Sequence, residues 1–382
     1  MHDLLAFPVL FVLGLVGWGV FSLLRAPVPP LLGALMVIGA LRVVEAPIPP
    51  APELLDPLVQ ILLGLFIGSK VTRETVADLK NLVRPALIVA AWALLLVFVF
   101  GPILGRVSAL DSVTAVLASS VGGLPEMMVL SMATGADVAA VAVVKLTRAI
   151  IIISIFPVLF RRLFAEAGAA AAPGGEDGSR AGAGGETRRR AATPVSYSDE
   201  PDTVGAADWK SEMRSLHQRP LELPFTFAVA LIGAYIFSRL GVPAGLMVGS
   251  MLFVAVASSL GLPVRGFPPS FFNPLLVALG IMVSQHFGPE TADTLASGGL
   301  LWPLILSTAV VFVTALGVAL LIHRLAGWDR PLSFLAAAPG GFTVMTALAI
   351  HYGYDPFRVS MIHLARLLAI KSVVPIVFAF LL

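Results

Sequence analysis

The chain has 382 residues, of which 58% are hydrophobic and only 13% charged, with a mean hydropathy of +0.93 and a formal net charge of +2. Soluble domains carry about 25% charged residues, so this composition excludes a water-soluble globule, and the small net charge points to no nucleic-acid partner. With no cysteine in the chain, disulfides, thiolate metal sites and cysteine nucleophiles are excluded as well.

The first residues, Met1-His2-Asp3-Leu4-Leu5, lack the cationic start of a cleaved signal peptide, so the first apolar run reads as a retained span. Spans are expected at about 4–24, 30–44, 54–70, 84–105 and 137–163, with a shorter, interrupted segment at 113–133. The second half repeats that order at about 221–240, 243–262, 271–287, 298–323 and 356–382, with the short segment at 331–350. Residues 165–219 belong to neither half. They are rich in Ala and Gly, contain Arg188-Arg189-Arg190, and offer no sustained apolar face, so a mostly disordered linker is expected there. The organisation is thus a first membrane repeat over 1–164, a linker over 165–219 and a second repeat over 220–382.

The repeat is legible residue by residue. Positions 118–160 align without a gap on 336–378, with fourteen identities in forty-three positions, among them Gly135/Gly353, Asp137/Asp355, Arg148/Arg366 and Pro157/Pro375. Earlier in the chain Phe21-Ser22, Pro47, Gly64 and Leu79 match Phe237-Ser238, Pro263, Gly280 and Leu295. The distribution of Lys and Arg argues for orientation. Lys70, Arg73, Lys80 and Arg84 follow the third span, whereas the counterpart loop at 286–297 has none. Opposite orientations of the two copies satisfy this asymmetry, and they require an odd number of crossings per copy. The expected fold is therefore an all-α polytopic membrane protein with ten full spans, built as a 5+5 inverted-topology repeat with two re-entrant hairpins. Its termini lie outside and its linker is cytoplasmic, in the cell (inner) membrane.

The two short segments carry the functional signal. Gly122-Gly123 with Pro125, and Pro339-Gly340-Gly341, sit in the middle of stretches too short to cross twice as helix. Non-helical backbone at membrane depth survives only where protein or a water-filled cavity satisfies its amides, and helix N-termini at such breaks suit an anion. Arg148 and Arg366 lie near mid-membrane on the following spans, with Lys145 and His363 one turn earlier on the same face. Glu126 has Val344 as its counterpart, so acids do not match cations, and the surplus positive charge suggests an anionic ligand. Neutralisation of one cation by Glu126 is the competing structural reading. Asp137 and Asp355 each follow a Gly-containing turn and read as helix N-caps. Gly64/Gly68 and Gly245/Gly249 read as close-packing motifs. The six histidines show no tight metal spacing, and neither a Gly-x-Ser-x-Gly elbow nor a phosphate-binding loop occurs.

The two hairpins, Ser119-Ser-Val-Gly-Gly-Leu-Pro-Glu-Met127 and Ala338-Pro-Gly-Gly-Phe-Thr-Val-Met345, each followed by a helix with a central Arg, resemble the duplicated AbrB-type membrane protein family. The resemblance covers both apolar halves and omits the linker. Labels inherited in that family, transcriptional regulator and ammonia monooxygenase, find no DNA-reading element and no copper-type histidine cluster here. At the level of architecture alone, the paired Gly-Gly hairpins look like those of secondary carboxylate transporters.

The expected function is secondary transport of a small anionic, carboxylate-type solute, and not enzymatic. The binding residues would be Gly122, Gly123, Lys145, Arg148, Gly340, Gly341, Thr343, His363 and Arg366, with Glu126 coupling transport to a proton or sodium ion. No cofactor and no metal site are expected; a homo-oligomer is left open. A non-transporting membrane sensor that influences gene expression is the alternative, and a membrane oxygenase a more distant one.

Overall fold

Runs of Leu, Val, Ile and Ala without water must satisfy their own backbone, and helix does so within one segment. The computed structural model of the chain describes residues 2–73, 75, 78–108, 110–169, 221–288 and 300–381, and among these there is helix and no strand. In the first repeat α1 is His2–Leu23, α2 Pro29–Val43 and α3 Leu55–Gly68. The long α4, Leu79–Val107, is helical throughout, with a π-helical turn at Leu96–Phe100. The first broken segment is α5, Ser112–Ser119, and α6, Leu124–Thr134; α7 is Val138–Ala169. The second repeat follows as α8 (Glu222–Arg239), α9 (Gly245–Ser259), α10 (Phe272–Ser284) and α11 (Leu301–Ala326). It ends with α12 (Arg330–Ala337), α13 (Phe342–His351) and α14 (Pro356–Leu381). Each helix of one repeat has its counterpart seven places on.

Among the described residues five helices, α4, α7, α8, α11 and α14, are long and apolar enough to cross a membrane. The protein is an all-α, multi-pass membrane protein. Four helices at expected spans are short: α2, α3, α9 and α10 have 15, 14, 15 and 13 residues, or about 20–23 Å of helix against a hydrocarbon core of about 30 Å. The cause is local for α2 and α9, which begin after left-handed residues at Val28 and Ala244 and end before left-handed Glu45 and Gly261. The helix α7 runs on to Ala169, past the boundary placed at 164, while residues 170–220, most of the expected linker, lie outside the described residues.

The caps follow the sequence. Asp111 accepts from the Val113 and Thr114 amides at 3.0 and 2.9 Å and opens α5. Slight burial pushes its carboxyl up, but the hydrogen bonds outweigh this and hold it below the ordinary range. Asp137 accepts from the Ala140 amide at 3.0 Å, and Asp355 from those of Phe357 and Arg358 at 2.9 and 3.2 Å, so both act as N-caps.

The two repeats pack reciprocally. Helix α3 lies on α9 of the other repeat and α10 lies on α2; likewise α1 meets α10, and α8 meets α3. Glycine makes these approaches close enough for backbone to touch backbone. A Cβ on Gly64 would overlap the Met247 carbonyl, and one on Gly280 would meet the Leu31 carbonyl, Leu31 and Met247 being repeat mates. Within each repeat, Gly17 sits on Gly33 and Gly233 on Gly249, where any Cβ would overlap a carbonyl oxygen. The close-packing reading of Gly64, Gly68, Gly245 and Gly249 holds at all four positions. Farther out, Phe156 and Phe160 of α7 stack on Phe334 and Tyr352, with ring centroids 4.7 and 4.3 Å apart, so the end of the first repeat is bound to the broken segment of the second.

Two glycines on α1 test the packing. Gly17→Ala is expected to destabilise the protein by about 1–3 kcal/mol, the range for overpacking, because its methyl meets the Gly33 carbonyl. Gly19→Ala, with no atom within 4 Å of the new methyl, is expected to be neutral or stabilising by up to about 1 kcal/mol. Thermal unfolding of the two variants in detergent measures both; equal effects would contradict the backbone contact.

Candidate functional site

A helix that stops inside the protein leaves its last carbonyls without amide donors and its first amides without acceptors. Both broken segments do this at the same point. The chain leaves α5 at Ser120 and re-enters helix at Leu124; it leaves α12 at Ala338 and re-enters at Phe342. The intervening four residues in each case are non-helical, bending at Gly122 and Gly340, with extended glycine as the N-cap of the second arm, at Gly123 and Gly341.

The carbonyl ends are met by the buried cations. Arg148 of α7 donates from one terminal nitrogen to the Ala118 and Ser119 carbonyls at 3.1 and 3.2 Å, and from the other to Ser120 at 2.6 Å. The Lys145 ammonium donates to the Ser120 and Gly122 carbonyls at 2.9 and 3.2 Å. In the second repeat Arg366 donates to the Ala338 and Gly340 carbonyls at 2.9 and 3.3 Å, and His363 Nε2 lies 3.1 Å from the Leu335 carbonyl. Arg148, Lys145, Arg366 and His363 are 5%, 5%, 2% and 0% exposed. Cations at the C-terminal ends of helices oppose the negative pole of the helix dipole, which accounts for charges that otherwise cost about 2.5–3.5 kcal/mol each at mid-membrane.

This revises the expectation that the arginine forks face a solute. Their terminal nitrogens are engaged with the hairpin backbone; of the residues supplying those carbonyls, Gly340 was singled out by its sequence, whereas Ala118, Ser119, Ser120 and Ala338 carry no side-chain signal that sequence reading could have found. The Glu126 side chain lies outside the described residues, so its neutralising role is left where the sequence put it.

The two repeats meet at the first hairpin, where a Cβ on Gly122 would lie 3.0 Å from Ile370 of α14. Gly340 is packed against Met345, but a Cβ on Gly341 would meet no atom within 4 Å, so the apex of the second hairpin borders open space beside half-buried Thr343. Neither Gly123 nor Gly341 has a side chain to cap its helix, and the first amides of α6 and α13 form a positive pole there. Among the described residues, buried atoms without a partner are Arg366 Nε, His363 Nδ1, Ser333 Oγ and Thr308 Oγ1 in the second repeat and Thr147 Oγ1 and Arg42 Nε in the first. A separate cavity of about 250 Å³, with Glu53, Asp56, Gln285 and His286 in its wall, lies between α3 and α10 and shares no residue with the hairpins.

If Arg148 serves the hairpin backbone, Arg148→Ala takes this donor from the Ala118 and Ser119 carbonyls and leaves Ser120 with Lys145 alone, and should destabilise by about 1–3 kcal/mol for each carbonyl left unsatisfied. Adding Glu126→Gln should not restore stability. Recovery in the double variant, read by thermal unfolding, would make Glu126 the partner instead.

A family model described as the transition state regulatory protein AbrB matches residues 2–164 and, again, 50–382. An uncharacterized protein of Bacillus subtilis (strain 168), YhjN, is 22% identical over 326 residues, covering 83% of this chain and 76% of its own length. The doubled match takes in both repeats, each with its glycine hairpin and central arginine, and the chain belongs to the AbrB family.

Proposed function

We propose that the protein is a secondary transporter of a small carboxylate-type anion. The observation that supports this reading is the pair of broken segments whose negative helix ends carry internal cations while their positive ends carry no cap. Cations and carbonyls balance each other at the C-termini of α5 and α12, so the uncompensated charge at the hairpins is that of the α6 and α13 amides. That is a place for an anion. In this reading Gly122, Gly123, Gly340, Gly341 and Thr343 border the solute, Arg148 and Lys145 hold the first hairpin in shape, and Arg366 and His363 hold the second. Glu126, at the third position of α6, is the candidate for coupling to a proton or sodium ion. The reciprocal packing of the repeats suits alternating access about a central site, with inverted repeats, outside termini and a cytoplasmic linker in the cell membrane. The family's description names a regulator, which favours a sensor as the second reading; binding without flux would mark it.

Acetate, succinate and citrate should each be screened against the purified protein, with chloride as control. A ligand at a hundred times its Kd stabilises by about 2.7 kcal/mol, so at least one carboxylate is expected to raise the unfolding temperature and to be taken up by liposomes containing the protein. No shift with any carboxylate would remove the anion-site reading.

Lys70 and His286 are exposed repeat mates at the ends of α3 and α10. Single cysteines placed there are expected to react with an impermeant thiol reagent from opposite sides of the membrane. Labelling from one side would replace inverted repeats with parallel ones.

A further inference from the structure

The two repeats differ at one position of the site in a way that bears on coupling. Lys145, in the first, is a fixed donor whose ammonium is directed at the Ser120 and Gly122 carbonyls. Its mate, His363, can be donor or acceptor. A carbonyl oxygen only accepts, so the contact of His363 Nε2 with the Leu335 carbonyl places the hydrogen on Nε2 and leaves a lone pair on Nδ1. That Nδ1 is fully buried and has no partner. Three residues on, on the same face of α14, Arg366 Nε is also buried without a partner, its two terminal nitrogens being engaged elsewhere. A native fold rarely leaves adjacent buried polar atoms unsatisfied.

We propose that His363 is the proton-carrying residue of the site, and that its Nδ1, once protonated, joins Arg366 Nε in donating to one carboxylate. This rests on the anion-transport reading above and moves the coupling step from Glu126 to His363. In the step, Nδ1 takes one proton from water to form the imidazolium, and the carboxylate accepts one hydrogen bond from Nδ1–H and one from Nε–H. One positive and one negative charge enter together, so the site's charge does not change. Neither enters readily alone. An imidazolium without the anion would stand one turn from the Arg366 guanidinium on the same face of α14, and an anion without the proton would face a lone pair at Nδ1. By linkage each then raises affinity for the other.

The other charged groups on elements packed against α14 stand away from this clamp. Asp56 of α3, Lys80, Arg84 and Arg106 on or near α4, and Arg330 of α12 are exposed. His351 ends α13, Lys371 donates to the Gly241 carbonyl, and the Glu126 side chain of α6 lies outside the described residues.

Calorimetric titration of acetate, succinate and citrate into the full chain, in Tris and in HEPES at one pH, counts protons taken up on binding. The native protein is expected to take up a proton with the bound carboxylate. His363→Gln, whose amide can still donate to Leu335 but has no titrating nitrogen, is expected to bind without proton uptake. Binding by the native protein with no proton uptake, or uptake unchanged in His363→Gln, overturns the role of His363 and leaves the anion site standing. Failure of all three carboxylates to bind overturns both. Should the variant not fold, ring-nitrogen chemical shifts of labelled histidine in the native protein decide the question. A neutral ring at His363 without carboxylate and an imidazolium with it support the clamp, and a ring that stays neutral with carboxylate bound overturns it.

Discussion

The site depends on the pairing of a buried cation with the carbonyl end of an interrupted helix. Breaking a helix inside a membrane exposes backbone that lipid cannot satisfy, and placing an arginine there is costly on its own. Each problem answers the other. Arg148 closes the end of α5 with three hydrogen bonds and Arg366 closes the end of α12 with two. Because α7 and α14 carry these cations, the position of each hairpin is set by the helix that follows it. The amide end of each second arm is left as the unbalanced pole.

Reciprocal contact between the repeats explains how two such units share one centre. Met247 stands to Gly64 as Leu31 stands to Gly280, the self-complementary arrangement expected when two copies of a surface meet about a two-fold. The left-handed residues obey the same pairing: Arg25 with Gly241, Val28 with Ala244, Glu45 with Gly261 and Gly135 with Gly353. At Glu45 the first copy keeps a backbone conformation that the second supplies with glycine, at a local cost of roughly 1 kcal/mol.

Symmetry of packing leaves room for difference in chemistry. In the first hairpin Ser119 and Ser120 turn their hydroxyls back to the Val116 and Leu117 carbonyls, and a lysine supplies further donors. The second hairpin has Ala337 and Ala338 at those places, one histidine contact, and buried polar atoms still without partners. The two halves of the site therefore differ in how their hairpin ends are satisfied.

Much of this could be read from the chain. Apolar runs of the right length exist whatever their neighbours, so the span order followed from composition; so did the duplication, the N-caps at Asp137 and Asp355 and the glycine breaks, each a matter of local residue type and spacing. What the cations touch could not be read, because their partners are backbone carbonyls, those of Ala118, Ser119, Ser120 and Gly122 in the first hairpin and of Ala338 and Gly340 in the second, and a carbonyl has no letter of its own. The lengths of α3, α9 and α10 were overestimated by a few residues; for α9 the reason is that hydrophobicity continues across left-handed Gly261, which ends the helix. Only the tertiary structure decided that Arg148 and Arg366 face inward to the hairpins and that His363 keeps one ring nitrogen unpaired, because those facts depend on how two distant segments dock.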